Sequence, residues 1–125
     1  MQTIILCGGQ EIDYVYLKHL MAKNTQLIWT KNVRELKEML KKLPRVHLML
    51  IELNMEESEK LKAASITNQL LPETPKIAIV NFLPEKKDRD DILTVFQDII
   101  VKPIKRKTFF ETIEKYVTLE NHYFK

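Results

Sequence analysis

The sequence predicts an α/β domain in which five parallel strands form an open sheet with helices on both faces, a three-layer sandwich. Three observations point there. Short aliphatic or β-branched runs occur at residues 3–7, 26–29, 46–53, 76–82 and 98–101. Most are apolar at consecutive rather than alternate positions, as strands covered on both faces must be. Between them lie stretches with apolar residues at helical spacing, so strand and helix alternate, and such connections require right-handed crossovers. A chain of 125 residues suffices for one cored domain but hardly for two, so residues 1–125 are read as a single domain.

The helical stretches are justified in turn. Ile12, Val15, Tyr16, Leu20 and Met21 form one stripe, and Val33, Leu36, Leu40 and Leu43 form a second. Asn32 with Glu35 has the spacing of a capping box, and Pro44 ends that helix because proline cannot continue the backbone ladder. Leu61, Ala64, Ile66 and Leu70 mark a third helix, closed by Pro72 and Pro75. A short fourth, over residues 88–97, is expected to bury Ile92, Val95 and Phe96. The last is expected over residues 107–118, with Phe109, Phe110, Ile113, Tyr116 and Val117 inward and Thr108 with Glu111 as a second capping pair.

Composition narrows the functional classes. Acids and bases are interleaved and the net charge is only +3, so nucleic-acid binding is not expected. No apolar run approaches the length of about 20 residues that a membrane helix needs, and the amino-terminal stretch lacks the basic flank and hydrophobic length of a signal peptide. One cysteine, Cys7, cannot form an internal disulfide, which fits a reducing compartment and a cytoplasmic location.

In open parallel sheets, ligands and chemistry collect at the carboxyl ends of the strands. These ends read Cys7-Gly8-Gly9-Gln10 after the first strand and Glu52-Leu53-Asn54-Met55 after the third. The fourth ends at Val80-Asn81-Phe82, and Val101-Lys102-Pro103-Ile104 follows the fifth. A buried strand delivering an acid, followed by Leu-Asn-Met, together with Lys-Pro after the fifth strand, resembles the receiver domains of two-component response regulators. The intervals between Gly8, Gly9, Glu52, Val80 and Lys102 fit that family without a gap, over nearly the whole chain.

The resemblance implies a (βα)5, flavodoxin-like receiver fold and a set of positions for phosphoryl transfer. Two acids after strand one hold Mg²⁺, an aspartate ending strand three accepts phosphate, a hydroxyl residue ends strand four, and a lysine precedes a proline. Here Gly8 and Gly9 stand at the acidic pair, Glu52 at the acceptor and Val80 at the hydroxyl position, while Lys102 and Pro103 match and Asn54 keeps the metal-facing carbonyl position. Ile99 replaces the usual switch aromatic. Mg²⁺ wants several oxygen ligands, which two glycines do not supply, and without it the phosphoryl group meets an uncompensated carboxylate. Neither a metal nor another cofactor is expected, and the degenerate set suggests a stand-alone pseudo-receiver.

What remains suggests an ion pair between Glu52 and Lys102. It either imitates a phosphorylated pocket or only neutralises two partly buried charges, and the second reading needs less, because such pairs commonly add little net stability. The expected role is binding of a protein partner, a signalling protein or a second copy, without catalysis. The alternative is a working receiver phosphorylated on Glu52. Lys105, Arg106 and Lys107 sit at the edge of the face through which receivers usually dock, where they form either a patch for an acidic partner or a solvated helix entrance.

Cys7-Gly8-Gly9 faintly resembles the phosphocysteine loop of sugar phosphotransferase IIB domains, so a phosphocysteine carrier is a remote alternative. Glu11 and Asp13 stand where phosphate would approach, and a buried strand cysteine is the simpler reading. His19, His47 and His122 join no cluster at metal-ligand spacing. Trp29 and Tyr16 are read as core or edge packing, and the aromatic tail over residues 120–125 is left open between folding back and touching a partner.

Overall fold

The computed structural model describes residues 2–21, 25–54 and 57–117. The elements alternate as expected: β1 (Gln2–Cys7), α1 (Glu11–Leu20), β2 (Thr25–Thr30), α2 (Val33–Lys42), β3 (Leu48–Glu52), α3 (Glu57–Leu70), β4 (Lys76–Val80), α4 (Lys86–Leu93), β5 (Asp98–Val101) and α5 (Arg106–Ile113). The strands form one sheet in the order β2-β1-β3-β4-β5, and every neighbouring pair is parallel. All βα connections therefore emerge at one edge, which gathers Gly8, Gly9, Glu52 and Lys102 there.

Consecutive apolar residues on β1, β3 and β4 serve two cores, one on each face. Ile4, Leu6, Leu48, Leu50, Ile77 and Ile79 pack with Leu17 and Leu20 of α1 and Phe109, Phe110 and Ile113 of α5. Ile5, Cys7, Met49, Ile51 and Ala78 pack with Val33 and Leu36 of α2, Ala63 and Ala64 of α3, and Phe96. Each fully buried aliphatic side chain contributes about 1.5–3 kcal/mol relative to exposure. No helix among the described residues is long and apolar enough to cross a membrane.

The second helix forms as its sequence suggests. Asn32 Oδ1 accepts from the Glu35 N–H at 2.9 Å, and Glu35 Oε1 accepts from the Lys31 N–H at 2.9 Å, one residue earlier than a strict capping box. Asn32→Ala is expected to lower the unfolding free energy by about 1 kcal/mol, measured by urea denaturation with an unchanged slope.

Several local expectations are corrected. In α1 the core takes Leu17 and Leu20, whereas Ile12 is 72% exposed and Val15 and Tyr16 are each 42% exposed. Six apolar residues leave this helix without a unique stripe, and its rotation is set by tertiary contacts. Tyr14 stacks on Trp29 with centroids 5.8 Å apart, and the Tyr16 hydroxyl donates to the Ile104 carbonyl. Strands β3 and β4 are shorter than their apolar runs, and Phe82 lies beyond β4 and is exposed. Helix α4 begins earlier than expected and buries none of its residues; Phe96 is buried behind it, but Val95 is exposed. Leu70 of α3 is exposed as well. At α5 the N-cap is Lys105 with no side-chain cap, so Thr108 and Glu111 do not form the expected pair; Thr108 instead accepts, through its carbonyl, from the Thr112 hydroxyl. The Leu61 side chain, Thr118 and the aromatic tail lie outside the described residues.

Candidate functional site

The turn after β1 is built by two glycines with positive φ, +87° at Gly8 and +77° at Gly9, a region where side chains are strained. The Gly8 N–H donates to the Thr30 carbonyl at 2.8 Å, and its own carbonyl accepts from Trp29 Nε1 at 2.9 Å. Gly8 is thus tied back to β2. Gly9 instead covers the end of β3, where a Cβ would lie 2.9 Å from Glu52 Oε2 and 3.0 Å from Asp13 Oδ2. The absent side chain leaves the room that the Glu52 carboxylate, one methylene longer than an aspartate's, requires.

Glu52 is the last residue of β3 and has no exposed surface. Lys102 Nζ lies 2.7 Å from Glu52 Oε1 and 3.1 Å from Asp13 Oδ1. Lys102 is positioned by β5, its N–H donating to the Val80 carbonyl at 2.8 Å, and its peptide bond to Pro103 is cis. The contact to Oε1 is an ion pair out of line for a directed hydrogen bond, and Oε2 has no hydrogen-bond donor among the described residues.

Asp13 completes this pocket, a role that the sequence alone does not assign to it. It stands in the first turn of α1, where Oδ2 accepts from the Gln10 N–H at 2.7 Å while Oδ1 faces Lys102. The legible signal was its place three residues after the N-cap, the acidic position of a capping box. Its second role depends on a lysine far along the chain.

Three charges therefore share the pocket, two acids and one base. Burial pushes the Glu52 carboxyl above the usual carboxylate range; Lys102 opposes this and Asp13 reinforces it. For Lys102 burial favours the neutral amine, but Glu52 and Asp13 together hold its ammonium above the ordinary lysine value. The asymmetry follows from exposure, because the Lys102 side chain keeps 20% of its surface in solvent and Glu52 keeps none.

A divalent cation does not fit these residues. Gly8 and Gly9 bring no carboxylate, the oxygens of Glu52 and Asp13 already face an ammonium, and no group of three metal-ligating side chains occurs among the described residues. The other positions stand apart. Asn54 is exposed and joins no hydrogen bond or ion pair among the described residues, Val80 is buried, Ile99 is half-buried and Pro103 is exposed. Lys105, Arg106 and Lys107 are exposed, with the Arg106 guanidinium 5.9 Å from the Phe110 ring centre. The Cys7 thiol is fully buried, so it lacks the access a phosphocysteine carrier needs. His47 serves structure, its Nδ1 accepting from the Thr3 N–H at 3.0 Å.

No protein-family model and no curated protein matches the sequence. Solved structures do match by shape. A response regulator from Thermotoga maritima superposes with a TM-score of 0.81 at 18% identity, covering 94% of this chain and 98% of that one. A signal receiver domain of an HD domain-containing protein from Pseudomonas fluorescens gives 0.78 at 15% identity, covering 92% and 93%. The chemotaxis protein CheY4 of Vibrio cholerae gives 0.79 at 13% identity, covering 94% and 99%. This chain has the fold of response regulator receiver domains.

Proposed function

We propose that this chain is a pseudo-receiver of two-component signalling, acting by protein–protein contact without phosphorylation and without catalysis. The observation that carries the reading is the sealed acceptor position. A phosphoryl donor must bring its phosphorus in line with a carboxylate oxygen, and both oxygens of Glu52 lie buried, with Gly9 above Oε2 and the Lys102 ammonium against Oε1. Lys102 supplies internally the positive charge that a metal would bring, so the pocket is held in one state. A constant surface then meets the partner, and the cell interior is its proposed location.

The test is a titration of the ¹⁵N-labelled chain with Mg²⁺, then with Mg²⁺ and beryllofluoride, followed at the amides around Glu52 and Lys102. No saturable shift is expected at millimolar metal. Saturable shifts at those amides, spreading to Ile99, would replace this reading with that of a working receiver that takes phosphate on Glu52.

A further inference from the structure

The inward stripe of α2, with Val33 and Leu36 buried and Met39, Leu40 and Leu43 half-buried, leaves one flank of that helix facing α3. On this flank stand Arg34, Lys37 and Lys41, at positions i, i+3 and i+7, and Lys62 faces them from α3. Together with Asn32, Val33, Glu38 and Ile66 they line an open groove of about 550 Å³. Its floor is apolar, formed by the buried Val33 and the half-buried Ile66. The three cations of α2 span about 10 Å at the helical rise of 1.5 Å per residue.

Of these cations only Lys41, in the last turn of α2, suits the helix dipole. Lys37 and Lys41 are like charges one turn apart, which is unfavourable, and Arg34 precedes Glu38 in the weaker orientation of an i,i+4 pair. None of Arg34, Lys37, Lys41 and Lys62 makes an ion pair among the described residues. Four cations without an ion pair among the described residues, beside one carboxylate and an apolar floor, are what an anionic partner with some apolar surface would meet. This groove is separate from the Glu52 pocket and from the Lys105–Arg106–Lys107 edge.

We infer that the α2–α3 groove docks an acidic amphipathic helix of a protein partner, its carboxylates spaced one turn apart against Arg34, Lys37, Lys41 and Lys62 and an apolar side chain set on Val33 and Ile66. Charge complementarity selects the sign, and the spacing selects the form, because carboxylates at i, i+3 and i+7 repeat the spacing of the cations. A nucleic-acid backbone fits less well. The groove offers no aromatic side chain for base stacking, and it places Glu38 among the cations and an apolar floor beneath them.

The test uses the full ¹⁵N-labelled chain and a synthetic helical peptide with glutamates at that spacing and leucines beside them. A scrambled peptide of the same composition and a short single-stranded oligonucleotide are titrated in parallel. The patterned peptide is expected to give saturable amide shifts confined to residues 31–42 and 62–70. Lys37→Glu together with Lys41→Glu should weaken it by about tenfold or more, with Lys105→Glu plus Arg106→Glu leaving it within about twofold. All four substituted side chains are exposed, and unchanged circular dichroism checks that the variants fold. Equal binding of the scrambled peptide, tighter binding of the oligonucleotide, shifts centred on Lys105 to Lys107, or no saturable shift would each overturn the inference. The Mg²⁺ and beryllofluoride titration reports on Glu52 alone, so the two readings fail separately.

Discussion

Lys102→Met is expected to destabilise the chain by about 3 kcal/mol near pH 8, the usual consequence of removing one partner from a buried ion pair. Glu52, wholly buried, and Asp13 then face each other without a cation. The cost arises from the uncompensated carboxylates and not from the net worth of the pair, so Glu52→Gln in the same background should recover much of it. The pH dependence has a definite sign. The folded pKa of Glu52 is already raised by burial, so the native state binds its proton more readily than the unfolded chain does. Its contribution to stability is then full below the unfolded value and is lost as pH rises through the folded one. Without Lys102 the folded value rises further, and the loss extends to higher pH. Urea denaturation of both proteins should show the gap narrowing toward acid, where Glu52 is protonated in both. A gap independent of pH would mean that Glu52 does not feel the Lys102 charge.

Much of this architecture is legible in the sequence because it depends on local pattern. Apolar runs such as the one through Met49, Leu50 and Ile51 announce strands buried on both faces, and Asn32 announces a helix start. The Glu52–Lys102 contact is legible as well, because topology brings the ends of β3 and β5 to one edge of a parallel sheet. What escapes is what depends on rotation and distance. The apolar residues of α1 run nearly all round the helix, so periodicity alone does not decide that Leu17, and not Val15, faces the core. Asp13 reads as a first-turn acid and reaches Lys102 only once that rotation is set. The four cations of the α2–α3 groove lie on two helices, and each alone reads as an ordinary solvated residue.

Gly9→Ala is expected to lower the unfolding free energy by about 3 kcal/mol, from two sources. A Cβ at φ +77° carries a left-handed strain of about 1–2 kcal/mol, and it would press within 2.9 Å of Glu52 Oε2 and 3.0 Å of Asp13 Oδ2, a further overpacking cost of about 1–2 kcal/mol. Glu52 is buried and held by Lys102, so its carboxylate has little room to retreat. The two sources separate in a double-mutant cycle with Glu52→Asp, which shortens the acid by one methylene and withdraws it from beneath Gly9. The cost of Gly9→Ala should then fall by at least about 1 kcal/mol, leaving the backbone strain and the contact with Asp13 Oδ2. An equal cost in both backgrounds would show that the space over Gly9 is not what the longer acid uses. A reduced cost would tie the glycine and the glutamate together, the room given up by one residue being taken by the other.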